Sequence, residues 1–83
     1  MSHQILLVED EPILRVTLAN DLAEEGYEVS AAADGAEGLR LIQERPFDAA
    51  LLDLKLPKVD GLTLLQSFKA ASPQGLAIMM TAY

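Results

Sequence analysis

Ile5-Leu6-Leu7-Val8-Glu9-Asp10 joins a short apolar run to two carboxylates, and the chain uses the same device again further on. Ala49-Ala50-Leu51-Leu52 ends at Asp53, and Leu76-Ala77-Ile78-Met79-Met80 ends at Thr81. Short apolar runs bounded by turn signals read as buried strands. In an open parallel sheet, ligands bind outside the carboxyl ends of the strands. If these three strands are neighbours, three acidic side chains and one hydroxyl meet in a single pocket. Like charges packed together raise each other's pKa and cost free energy unless a cation compensates. A hard divalent metal answers that need, and Mg2+ is the usual one beside phosphate chemistry.

The segments between the runs read as helices. Pro12 stands where a first helical turn tolerates it, and Leu14, Leu18 and Leu22 recur at helical spacing to make one apolar stripe. Gly26 is placed to end that helix in a left-handed cap. Tyr27-Glu28-Val29-Ser30-Ala31 alternates and predicts a second strand at the sheet edge. Asp34 with Glu37 matches a capping box, and the helix behind it carries Leu39 and Ile42 inward and stops before Pro46. Ala49–Asp53 is apolar on both faces, as a central parallel strand should be. Asp60-Gly61 opens a third helix with Leu64, Leu65 and Phe68 on its core side, and Ser72-Pro73-Gln74-Gly75 breaks it. The order βαβαβαβ predicts an α/β fold: a parallel sheet with helices on both faces.

Composition narrows the function. Eighty-three residues make one domain with a modest core. Thirteen acids against six bases give a net charge of −7, which argues against direct nucleic-acid binding, since phosphate contacts need Lys and Arg. It argues equally against an anionic membrane surface. With no cysteine, a thiolate metal site, a disulfide framework and a cysteine nucleophile are excluded. The apolar runs are far shorter than the roughly 18 residues a membrane span needs. Met1-Ser2-His3-Gln4 has no basic region leading into an apolar stretch. A cytoplasmic location is expected.

Leu6-Leu7-Val8-Glu9-Asp10-Glu11-Pro12, then Leu51-Leu52-Asp53-Leu54-Lys55-Leu56-Pro57 with Asp60-Gly61, then Met80-Thr81-Ala82 closely resemble, in order and spacing, the signature segments of bacterial two-component response-regulator receiver domains. The resemblance runs from residue 3 to residue 83. It implies a flavodoxin-like (CheY-like) sheet in the order 2-1-3-4. It implies Asp53 as phosphoacceptor, with Asp10 binding Mg2+ directly, Glu9 acting through a metal-bound water, and the backbone carbonyl of Lys55 completing the site with Asp53. Many receivers carry Asp where this chain has Glu9. Thr81 would donate its hydroxyl to a phosphoryl oxygen, with Ala82 beside it in the switch. Pro57 and Gly61 resemble loop-shaping residues, since Pro fixes φ and Gly frees it. Glu11 is expected to do no more than cap the first helix. His3 and Tyr83 are assigned no role.

A complete receiver has five βα units, and this chain is expected to be the N-terminal part only, with the fifth strand and the last two helices absent. The family's fifth-strand lysine and aromatic then have no counterpart, for Lys55, Lys58 and Lys69 lie elsewhere. Two readings follow. One is a phosphoacceptor module served by a sensor histidine kinase, and not itself an enzyme. The alternative is a self-associating interaction module, a homodimer or higher species, that transfers nothing. A phosphatase resembling the haloacid dehalogenases ranks third, because it wants a second Asp two residues beyond the nucleophile, where Lys55 stands. The ending Met79-Met80-Thr81-Ala82-Tyr83 resembles receivers attached to nitrogen-regulation-type transcriptional activators.

Overall fold

The computed structural model describes residues 2–53, 56 and 61–80. Four strands and three helices alternate: β1 (Gln4–Val8), α1 (Pro12–Glu24), β2 (Glu28–Ala32), α2 (Gly35–Glu44), β3 (Ala49–Asp53), α3 (Gly61–Ala71) and β4 (Leu76–Met80). The strands form one parallel sheet in the order β2-β1-β3-β4. This is the predicted order, and it puts β1 and β3 at the centre.

Local chemistry sets the boundaries. Glu11 caps α1 by accepting from the Leu14 N–H at 2.7 Å, with Pro12 in the first helical position. At the other end Gly26 has φ +96°, and the N–H groups of Gly26 and Tyr27 return to Ala23 and Leu22 at 3.0 and 3.2 Å. That pair of bonds is a Schellman cap, which needs a residue tolerant of left-handed backbone. Asp34 caps α2, accepting from the Glu37 N–H at 2.8 Å, while Glu37 reaches back to the Ala33 N–H at 3.0 Å. The predicted box is present, its return bond shifted one residue upstream of the cap. β2 likewise starts one residue later than the alternation predicts.

The main core cluster lies on one side of the sheet, while Ile5 and Leu7 of β1 are buried on the other. Leu6 and Val8 of β1, Ala50 and Leu52 of β3, Leu41 and Ile42 of α2, and Leu64 and Phe68 of α3 form a single buried cluster. Phe47, just before β3, joins it. Leu39 and Leu65 are only half-buried at its margin. α2 and α3 pack on each other over this face, whereas α1 lies on the other face against β1 and β2. That second face is thinly covered. No residue of α1 is buried; Leu18 and Leu22 are half-buried, and Leu14 is exposed. The predicted leucine stripe exists, but the surface beneath it hides only its C-terminal part. Beyond α1, Ile5, Ala49, Leu51, Leu76 and Ile78 line an open apolar groove of about 290 Å³ with Leu22 and Tyr27.

Candidate functional site

Parallel register brings the carboxylates together. Val8 pairs with Leu52, so Glu9, one step on, falls beside Asp53 at the carboxyl end of the central strands. The Glu9 N–H continues the ladder to the Ala32 carbonyl at 3.1 Å. Carboxylate oxygens of Glu9, Asp10 and Asp53 all lie within 4.8 Å of one another. Glu9 and Asp53 are each 3% exposed, while Asp10 faces solvent. The structure thus unites three of the predicted site residues in a cluster with two buried members and one open one. Gly61 is buried at the start of α3. Lys55, Pro57, Thr81 and Ala82 lie outside the described residues.

Glu9 is held on three sides. Besides its N–H bond to Ala32, its Oε2 accepts from the Glu11 N–H at 3.0 Å. Its carbonyl accepts from Arg15 Nη1 at 3.1 Å, and the same nitrogen is 3.4 Å from the Asp10 carbonyl. Arg15 belongs to none of the sequence motifs. A basic residue close to the N-terminus of a helix, the end where the dipole disfavours it, was the available signal.

Burial pushes the Glu9 carboxyl above its usual 4.5; the Glu11 N–H works against this, and the Asp53 charge adds to it. A raised carboxyl pKa means the folded, metal-free protein holds that proton more tightly than the unfolded chain. Its contribution to stability is therefore fully present below the ordinary carboxylate value and is lost as pH rises through the folded one. Glu9→Gln keeps an acceptor for the Glu11 N–H and removes the ionisation. With chelator present, urea denaturation should show the variant gaining on the wild type between pH 4 and pH 7. An equal difference at both pH values would contradict the burial argument.

This geometry has counterparts. The family model "Response regulator receiver domain" matches residues 5–83. Sporulation initiation phosphotransferase F of Bacillus subtilis is 38% identical over 84 residues, covering 100% of this chain and 67% of its own. The TorCAD operon transcriptional regulatory protein TorR of Escherichia coli O157:H7 is 38% identical over 79 residues, covering 95% of this chain. The chain spans only 34% of that regulator's length. Among solved structures, the response regulator protein TrrA from Thermotoga maritima in complex with Mg2+–BeF superposes with TM-score 0.89 at 35% identity. It covers 100% of this chain and 71% of its own. Fold, strand order and the match over nearly the whole sequence agree, and the chain belongs to the response regulator receiver domain family.

Proposed function

We propose that Asp53 accepts a phosphoryl group from a histidine kinase, with Mg2+ held among Glu9, Asp10 and Asp53. The observation that carries this reading is the gathering of the three carboxylates within 4.8 Å at the carboxyl end of the sheet. Their donor set fits the ion: hard oxygens, few in number, with room left for water and phosphate oxygens. Asp10 and Asp53 would meet it directly and Glu9 would stand behind them. Bound there, Mg2+ supplies charge neutralisation for the acids and for the phosphoryl oxygens.

The chain's own part is nucleophile and positioning. A carboxylate oxygen of Asp53 attacks phosphorus, and the O–P bond forms as the N–P bond of phosphohistidine breaks. The imidazole leaves with the bonding pair. β3 holds Asp53 at its end, and the buried flank given by Glu9 limits the directions from which a donor can approach. The domain is an acceptor for another protein's chemistry rather than an independent enzyme, and a cytoplasmic setting suits such a partner. Among the described residues no helix is long and apolar enough to cross a membrane. Acetyl phosphate tests the reading without a kinase: intact mass should show one added phosphoryl group with Mg2+ and none with chelator. No adduct under either condition overturns it.

A second property is supported by a separate observation. Among the described residues β4 pairs only with β3, and Leu76 and Ile78 are 63% and 45% exposed. β4 carries no charge or proline to discourage edge pairing. We propose that the 83-residue chain self-associates through this strand and the groove beside it. Light scattering at micromolar concentration should show a dimer or larger species, and Ile78→Lys should shift it toward monomer. A wild-type monomer under those conditions refutes this.

A further inference from the structure

Arg15 is the only cation among the described residues that hydrogen-bonds to the segment between β1 and α1. Helical side chains lean back toward the N-terminus, which carries its guanidinium from α1 to the carbonyls of Glu9 and Asp10. Those carbonyls belong to the two residues that provide two of the three clustered carboxylates. The placement is electrostatically unfavourable for the helix, because a positive charge near an N-terminus opposes the macrodipole. It has a clear local use. Three carboxylates within 4.8 Å repel one another, and the exposed Asp10 has the most freedom to swing away. A two-carbonyl clamp restrains the successive peptides that follow Glu9 and Asp10 without occupying either carboxylate. The Glu9 carboxylate stays engaged by the Glu11 N–H at 3.0 Å, and the Asp10 carboxylate stays open to solvent.

We infer that Arg15 is a positioning residue for the metal site, pinning the backbone of Glu9 and Asp10 through their two carbonyls so that the carboxylates converge on one cation. The inference rests on the reading of Glu9, Asp10 and Asp53 as a Mg2+ site. It opposes a simple field effect. As a bare charge Arg15 would repel Mg2+, and removing it would tighten binding. As a clamp, its removal weakens binding, because groups that orient metal ligands matter nearly as much as the ligands.

Wild type, Arg15→Ala and Arg15→Gln are compared by calorimetric titration with Mg2+ and, in chelator, by amide hydrogen exchange. Gln is neutral but still offers an N–H to a carbonyl. Arg15→Ala should lose roughly tenfold in Mg2+ affinity, the low end for a residue that orients a ligand. Its Glu11 amide should exchange faster than in wild type even without metal. Arg15→Gln should recover part of both, and it carries the comparison if Arg15→Ala loses its circular dichroism spectrum. Arg15→Ala binding Mg2+ as well as or better than wild type overturns the inference, as does an unchanged Glu11 exchange rate. A wild type that binds no Mg2+ is a different failure: it removes the metal-site reading, and this role with it.

Discussion

Asp53→Asn is expected to lose phosphoryl uptake from acetyl phosphate to background while the protein stays folded. The amide keeps the shape of the side chain and one oxygen, but it has no charged oxygen to attack phosphorus. Its effect on stability should run the other way. Asp53 is 3% exposed and its charge adds to the raised pKa of Glu9, so in the metal-free wild type the Asp53 charge disfavours ionisation of the buried Glu9. Removing one charge relieves that cost, and the melting temperature in chelator should equal or exceed that of wild type. Mg2+ should then separate the two proteins. A ligand that binds only the native state raises stability by RT ln(1 + [L]/Kd), so wild type should gain more from the ion than the variant. Thermal melts with and without Mg2+, alongside intact mass after acetyl phosphate, measure all three effects. Phosphorylation of Asp53→Asn at the wild-type rate would move the acceptor to another residue.

Why so much of this site is legible in the sequence follows from how a parallel sheet is punctuated. Each central strand is an uninterrupted apolar run, and the first polar residue after it must stand at the carboxyl end. Glu9, Asp10 and Asp53 announce themselves in that way. Caps are equally plain, because Gly26 and Asp34 answer local needs that depend on few distant contacts. Coverage is less legible. Leu14, Leu18 and Leu22 have helical spacing, but periodicity reports a stripe and not the extent of the surface it meets. α1 lies over β1 and β2 only, which leaves Leu14 outside. Phe47 is buried in the main core cluster although it stands in the connection between α2 and β3, a tertiary event with no periodic signature. The contacts of Arg15 depend on the path of the backbone between β1 and α1, which no spacing rule supplies.

Phe68→Ala should cost more stability than any change in the acidic cluster. Phe68 is fully buried and heads the largest side chains of the core. Its ring sits directly on the backbone of Gly75: a Cβ built there would lie 2.5 Å from the ring Cζ. The turn into β4 is therefore shaped around this ring, and a smaller side chain leaves a void that a backbone already in place cannot fill. Phe→Ala changes in cores cost about 3–5 kcal/mol. At roughly 0.05–0.15 kcal/mol per residue, the whole domain is stable by about 4–12 kcal/mol. The substitution removes about a quarter of that or more. Phe68→Leu keeps most of the volume and should cost less than about 1.5 kcal/mol. Urea midpoints at constant m separate the two. The functional consequence is indirect: α3 covers β3 and β4 from one side, so loosening it releases the strand whose last residue is Asp53. Mg2+ should restore part of the lost stability, because the proposed site exists only where Asp53 still meets Asp10. A Phe68→Ala protein within 1 kcal/mol of wild type would mean that the core closes over the gap, and that the ring is not what positions β4.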